Sequence, residues 1–237
     1  MKYIPDEYIF LMVPNNSGST LLSNILLTSK NIDSTTPLEA QFNPDFIGPR
    51  PDQFNVSGLF TKKENIFRNE SLYDWEHNKK EVFFSRLAKP LLIEKSPSNL
   101  CRADMYYKHF KNIKYLIMDR NPLAMAEGVM RQFKHSAKDA ISHAVRCKEI
   151  NSEILNTYKD ISLYITYEEL VNETQETLSK IKQFIPMAGE IFVPKHLTIK
   201  GKKYNGLINK NEEQISKISV KNLDIMLQYI HMKGISL

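Results

Sequence analysis

A short hydroxyl-rich turn near the N-terminus is the first candidate for chemistry. The stretch VPNNSGSTLL, residues 13–22, connects the apolar run YIFLMV to a second one, LLSNILL. Gly18 permits a tight turn, and Ser19 and Thr20 stand where a helix would begin. The first N–H groups of a helix and its dipole favour an anion, although Ser and Thr are also ordinary N-caps. The familiar phosphate loop ends in Gly-Lys-Ser/Thr, and this stretch has no lysine.

Two more polar segments follow apolar runs. Arg120 comes directly after KYLIMD and before Asn-Pro, which typically starts a helix. Its planar guanidinium suits a phosphate, and the alternative is an ion pair with Asp119 or Glu94. Lys95 follows LLIE and could stabilise charge on a leaving group or substrate. The alternative there is a solvated Lys95 beside a Glu94 that caps or pairs.

The elements that would position these residues alternate along the chain. Four apolar runs predict strands, and helical spacing follows in several segments. The predicted strands are residues 8–13, 91–94, 115–119 and 161–166; the predicted helices include residues 21–26, 137–158 and 174–185, with two short helical segments on either side of Val220. This order predicts an α/β fold, a three-layer P-loop-like arrangement with a central parallel sheet flanked by helices. Because such sheets bind ligands at the carboxyl ends of their strands, the polar segments should share one site.

Composition sets the class of protein. The 237 residues are 42% hydrophobic and 25% charged, which indicates one globular domain spanning residues 1–237. Residues 36–89 carry proline, aromatic and charged residues without a clear strand, and we interpret them as a lid or acceptor-binding insertion. No segment reaches the about 20 apolar residues that span a bilayer, no signal segment is evident, and two cysteines indicate reduced thiols in a cytoplasmic protein.

The net charge of +5 has two readings. It favours an anionic partner, and it also fits a generally lysine-rich composition. Basic residues interleaved with aromatic ones, the pattern of a nucleic-acid surface, do not occur. We therefore expect no nucleic-acid partner.

Taken together, these segments resemble sulfotransferases that use 3′-phosphoadenosine 5′-phosphosulfate (PAPS). NSGSTLL is similar to the family's 5′-phosphosulfate loop, and DRNPLAMAEG to the strand end whose arginine holds the 3′-phosphate. IEKSP resembles the corresponding segment of the carbohydrate, heparan-type branch. ISLYITYEELVNETQETLSKIKQFI resembles the family's last strand, turn and helix, and KGKK its nucleotide-closing loop. The resemblance runs from residue 8 to about residue 203.

The resemblance implies a set of site residues. The cofactor would contact Asn16, Ser17, Gly18, Ser19, Thr20, Leu21, Arg120, Gly128, Tyr167, Lys200, Gly201 and Lys202. Glu39, in NIDSTTPLEAQF, matches the glutamate base of glycan and tyrosylprotein members, and His77 is the reserve candidate. Lys95 would assist electrostatically, with Asn16 beside the transferred group. The implied product is adenosine 3′,5′-bisphosphate, and no metal is expected.

Two positions depart from the family pattern. Asn16 stands where the family has a lysine or arginine, and losing such a group costs on the order of 10²–10³ in rate. Gly128 stands where the family has a serine that shares the 3′-phosphate. Lys95 could replace the first charge, and Arg131 or a C-terminal lysine could compensate for the second.

Three functions stay open on the sequence. The first is transfer of a sulfuryl group to a hydroxyl of a glycan, a peptide tyrosine or a small molecule, with an acidic acceptor mildly favoured by charge. The second is a non-catalytic nucleotide-binding protein on the same fold, which Asn16 and Gly128 favour. The third is a P-loop nucleotide kinase, which the missing Gly-Lys-Ser/Thr disfavours. The acceptor and the oligomeric state remain open.

Overall fold

Five parallel strands form the central sheet. The computed structural model describes residues 5–34, 89–199 and 202–235, and the elements below are those of these ranges. The sheet strands are β1 (Glu7–Met12), β2 (Ile32–Ser34), β3 (Leu91–Glu94), β4 (Ile113–Asp119) and β5 (Ser162–Thr166). Their order is β2-β3-β1-β4-β5. Phe10 of β1 lies opposite Glu94 on one side and Tyr115 on the other, so β1 is the middle strand.

Helices follow the strands in the expected alternation. They are α1 (Ser19–Leu26), α2 (Ala103–His109), α3 (Pro122–Phe133), α4 (Ala137–Thr157), α5 (Tyr167–Asn172), α6 (Thr174–Phe184), α7 (Asn211–Ile215) and α8 (Val220–Met232). Short 3-10 turns span Pro97–Cys101, Lys159–Ile161 and Pro186–Ala188. A two-stranded antiparallel hairpin, β6 (Leu197–Ile199) and β7 (Lys202–Tyr204), lies apart from the central sheet.

Two hydrophobic cores cover the two faces of the sheet. Alternate residues of β1 point to opposite faces: Phe10 joins the core with α2, α3, α4 and α8, whereas Leu11 joins the core with α1, α5 and α6. Both residues are essentially fully buried. The near-continuous apolar strands are explained by this two-sided burial, since a parallel sheet covered on both faces needs no polar face.

The crossovers place a crevice beside β1. The chain leaves β1 through α1 on one face of the sheet, and it leaves β4 through α3 and α4 on the other face. Between β1 and β4 the connections therefore diverge, which is where open α/β sheets bind ligands. The loop after β1 and the residue after β4 lie at this point.

The predicted fold class is confirmed, with local corrections. The four predicted strands are present with shifts of at most two residues at their ends, and the long helix is Ala137–Thr157. The three-residue strand β2 and the β6–β7 hairpin were missed because they are too short to show a period. The two helices predicted on either side of Val220 are present as α7 and α8, but the second is not short, since Val220 begins the 13-residue helix α8.

Parts of the predictions fall on residues that the structure does not describe. The proposed lid, residues 36–89, lies outside the described residues except for Lys89, whose Nζ donates to the Ile32 carbonyl at 2.8 Å. Among the helices of the described ranges, none is long and apolar enough to cross a membrane.

Candidate functional site

The loop after β1 presents the open N-terminus of α1. Gly18 is the N-cap residue, with φ 94°, and no side chain caps the helix within the described part of the chain. The helical hydrogen-bond pattern starts where Leu22 N–H donates to the Gly18 carbonyl at 3.0 Å. The backbone N–H groups just before Leu22 therefore have no acceptor within the helix. The alternative that Ser19 or Thr20 serves as the cap is wrong, since both lie inside the helix. The N–H groups and the dipole of α1 are consistent with an anion site.

Gly18 is required by a close approach of Tyr167. A Cβ at position 18 would lie 2.8 Å from Tyr167 Cδ2 and 3.4 Å from Met118 Cε. The positive φ adds strain for any residue with a side chain. The aromatic ring therefore packs directly on the backbone of the loop and fixes its position.

Two other predicted loop residues point away from the mouth of α1. The Ser17 hydroxyl is fully buried and lies 3.4 Å from Met125 Sδ of α3, while its N–H donates to the Pro14 carbonyl at 3.3 Å. Leu21 is buried in the apolar core, which leaves its backbone alone to face a ligand. The side chains that remain at the mouth belong to Ser19 and Thr20.

Asn16 turns toward the β4 side of the loop. Its backbone is left-handed, with φ 63°, and its side chain lies against Gly128 of α3. A Cβ built on Gly128 would be 2.8 Å from Asn16 Cγ and 2.9 Å from its Cβ. The two departures from the family pattern are thus in direct contact.

Lys95 approaches the loop from the β3 side. It is 5% exposed, and its Nζ lies 3.4 Å from Thr20 Oγ1. The alternative of a solvated lysine is therefore wrong. Glu94 accepts hydrogen bonds from the Ser96 N–H, at 3.0 and 3.1 Å, and from the Ser96 hydroxyl, so it caps the turn after β3.

Buried Asn99 anchors the segment that carries Lys95. Its Nδ2 donates to the Leu11 and Glu94 carbonyls, both at 3.2 Å, and its Oδ1 accepts from the Tyr106 hydroxyl at 2.8 Å. These bonds tie the turn after β3 to the ends of two strands. Lys95 consequently stands on a rigid base rather than on a free loop.

Arg120 crosses the crevice behind the loop. Its Nη1 donates to the Asn16 carbonyl and its Nε to Asn211 Oδ1, both at 2.8 Å, and the guanidinium carbon lies 4.2 Å from the centroid of the Tyr167 ring. Its Nη2 is buried and has no hydrogen-bond partner among the described residues. The side chain fixes three elements and keeps one donor unused.

The predicted alternative of an ion pair for Arg120 is not observed. Asp119 accepts instead from Asn151 Nδ2 at 2.6 Å and from the Tyr164 hydroxyl at 3.2 Å, and Glu94 is bound to Ser96. In residues 5–34, 89–199 and 202–235, no carboxylate lies within ion-pair distance of Arg120. Burial raises the pKa of Asp119 to about 6 and lowers the pKa of Arg120 from its ordinary value.

Asn211 and Glu168 are site residues that sequence reasoning missed. Asn211 Nδ2 donates to Glu168 Oε1, which also accepts the Asn121 N–H at 2.9 Å. The Asn211 amide thus stands between the guanidinium of Arg120 and the nearest carboxylate of this network. Asn211 is far away in sequence and carries no motif, although YEEL placed Glu168 just after a strand.

Other predicted residues fall outside this cluster. Arg131, suggested as a compensation for Gly128, is paired with Glu127, Nε to Oε1 2.9 Å, and its side chain is 57% exposed. Glu39, His77, Lys200 and Gly201 lie outside the described residues. Lys202 begins β7, where it pairs with Ile199. The described ranges contain no group of three or more His, Cys, Asp or Glu that could hold a metal ion.

Comparison with known proteins defines the family. The sulfotransferase family model matches residues 9–188, about three quarters of the chain, and the chain therefore belongs to the sulfotransferase family. Among curated proteins, none matches the sequence.

Solved structures share the fold at low sequence identity. A sulfotransferase from Alicyclobacillus acidocaldarius is 14% identical, with a TM-score of 0.56 over 99% of this chain and 98% of that one. The sulfotransferase domain from the curacin biosynthetic pathway is 16% identical, with a TM-score of 0.55 over 99% of both chains. These matches support the three-layer fold.

The contact between Gly18 and Tyr167 gives a direct test. Gly18→Ala should destabilise the protein by about 2–4 kcal/mol, because it combines strain at positive φ with a clash against the ring. The matched control is Gly234→Ala at the end of α8, where φ is 63° and an added Cβ meets nothing within 4 Å. We expect the control to cost about 1 kcal/mol in urea denaturation. Equal losses in the two variants would show that the ring does not constrain the loop.

Proposed function

We propose that the protein transfers a sulfuryl group from PAPS to a hydroxyl of an acceptor. The observation that carries this proposal is a pair of cationic subsites on opposite sides of one loop. On the β3 side, Lys95 and Thr20 adjoin the open N-terminus of α1. On the β4 side, Arg120 holds an unpaired buried donor. A nucleotide with separate phosphates at its 3′ and 5′ positions fits such a pair.

The donor groups match the two ends of this nucleotide. The backbone N–H groups at the start of α1, with the Thr20 hydroxyl, would hold the 5′-phosphate. Arg120 would hold the 3′-phosphate through Nη2, since Nη1 and Nε are already engaged. Guanidinium groups favour phosphate oxygens because their planar donors match the geometry. Tyr167 keeps this guanidinium in place from its ring face.

Sulfuryl transfer moves negative charge onto the leaving nucleotide and moves the acceptor's proton to a base. The acceptor oxygen forms a bond to sulfur, the bond from sulfur to the bridging phosphate oxygen breaks, and the acceptor proton goes to a base. When bound, PAPS supplies an activated sulfuryl group and leaves as adenosine 3′,5′-bisphosphate. Negative charge therefore builds on the 5′-phosphate side, next to α1.

Lys95 is our candidate for stabilising that charge. It is the cation that the structure places beside Thr20, and burial at 5% exposure strengthens its field at short range. The family's loop cation is absent at Asn16, and the Asn16 side chain faces Gly128 instead. Lys95 would assume this role from the neighbouring strand.

Glu39 is the proposed general base, on the strength of the family resemblance. Its carboxylate would accept the proton of the attacking hydroxyl. It follows β2, whose last residue is Ser34, by five positions in a parallel sheet whose strand ends meet at the site. The described chain thus reaches the carboxyl edge of the sheet at Ser34, five positions before Glu39.

Nucleotide selectivity tests the proposed function. Adenosine 3′,5′-bisphosphate should bind about 10²-fold more tightly than 5′-AMP in calorimetry, because Arg120 contacts only the former's 3′-phosphate. Arg120→Met should abolish most of this preference while keeping an apolar contact with Tyr167. Arg131→Met is the matched control, since Arg131 is engaged by Glu127 on the surface, and should keep the preference. Equal affinity for both nucleotides in the unmodified protein would contradict the proposal.

The base is tested by turnover rather than binding. Glu39→Gln should lower sulfate transfer by on the order of 10²–10⁴-fold and leave the affinity for adenosine 3′,5′-bisphosphate unchanged. His77→Asn, the reserve position, should change neither quantity. Radiolabelled sulfate transferred to a panel of glycan, tyrosine-peptide and small phenolic acceptors would measure the rate. A large loss in His77→Asn with Glu39→Gln unaffected would identify His77 as the base in place of Glu39.

A further inference from the structure

We infer that the side-chain amide of Asn16, beside Arg120, is a second donor to the 3′-phosphate, in the place of a hydroxyl that Gly128 lacks. This inference rests on the proposed function. It assigns Asn16 to the opposite end of the nucleotide from the one its sequence position implies.

The first observation is the direction of the Asn16 side chain. Arg120 Nη1 donates to the Asn16 carbonyl at 2.8 Å, so this residue belongs to the arginine side of the loop. Its Cγ and Oδ1 would be 2.8 and 3.1 Å from a Cβ on Gly128. Lys95 and Thr20 meet on the β3 side, across the middle strand.

The second observation is a pair of unused donors. Asn16 Nδ2 and Arg120 Nη2 are both buried, and neither has a hydrogen-bond partner among the described residues. Each buried donor without an acceptor costs free energy. Here two such donors, one amide and one guanidinium, belong to residues that are hydrogen-bonded to each other. A phosphate accepts several hydrogen bonds at once and would satisfy both.

The third observation is that the loop conformation found here leaves no room for a side chain at position 128. A serine at position 128 would place its Cβ within 2.9 Å of Asn16 Cγ and Cβ, closer than such atoms approach. Rotation of the Asn16 side chain cannot relieve the contact with its Cβ, which is fixed to the backbone. In the loop conformation found here, with Asn16 at φ 63°, position 128 therefore accommodates only glycine, and we assign the missing donor to the loop.

Replacement at position 16 tests the role without straining the loop. Asn16→Gly removes the amide, and glycine readily adopts the φ of 63° found there. We expect the affinity for adenosine 3′,5′-bisphosphate to fall about tenfold to a hundredfold, as for one hydrogen bond to a charged group, with the affinity for 5′-AMP unchanged. Asn16→Asp keeps the shape and adds a negative charge, and should reduce the same preference further.

The exchange of roles is tested by a double variant. Gly128→Ser alone should weaken the binding of adenosine 3′,5′-bisphosphate, because the serine collides with Asn16. Asn16→Gly with Gly128→Ser removes both clashing atoms and should regain at least part of the lost preference. Thermal unfolding of each variant shows whether it is folded.

The outcomes separate this inference from the proposed function. If Asn16→Gly changes both affinities by one factor, or changes neither, while the unmodified protein still prefers adenosine 3′,5′-bisphosphate, the role of Asn16 is overturned and the proposed function stands. If the unmodified protein has no such preference, both are overturned. If the double variant prefers adenosine 3′,5′-bisphosphate over 5′-AMP no more than Asn16→Gly alone does, the proposed exchange of roles between positions 16 and 128 is overturned.

Discussion

A buried guanidinium without a carboxylate partner is the constraint on which this site depends. Arg120 is 9% exposed, and it is held by the Asn16 carbonyl, the Asn211 amide and the Tyr167 ring. Burying a charge is costly unless the charge is paired or hydrogen-bonded. The buried guanidinium must therefore be stabilised by a bound anion or by neutral hydrogen-bonding groups. Asn211 supplies such a dipole and separates Arg120 from Glu168. The arginine is thereby positioned but not neutralised.

The parallel sheet brings the second cation to the same crevice. Lys95 and Arg120 follow β3 and β4, the two neighbours of β1, and all three strands end at one edge. The loop after β1 lies between them, and its Gly18 is in close contact with Tyr167, the first residue after β5. Four strand ends thus meet at the proposed two-ended anion site, where α1 and α3 diverge to opposite faces of the sheet. Function here follows from topology as much as from any single residue.

The sequence predicted the strands that are long and apolar, together with the polar residues that follow them. Burial on both faces of the sheet makes strands such as β4 continuous hydrophobic runs, which are easy to recognise. The sequence could not predict β2, which has only three residues. It also could not predict that Asn211 of α7 contacts Arg120, which is 91 positions earlier in the chain. Such contacts depend on tertiary packing, and an asparagine has no periodic or motif signal.

The sequence also identified Asn16 and Gly128 as departures from the family without relating them. Their contact is visible only when α3 is packed against the loop. In the structure the two departures form one contact, in which the Asn16 side chain lies directly against Gly128. The loop cation has no such replacement in the loop itself, and Lys95 approaches from the adjacent strand.

The account is tested most directly by a crystal structure with adenosine 3′,5′-bisphosphate bound. It predicts the 5′-phosphate at the N-terminus of α1, with Lys95 nearby, and the 3′-phosphate within hydrogen-bond distance of Arg120 Nη2. A nucleotide bound in the reverse direction, or with neither phosphate near Arg120, would contradict it.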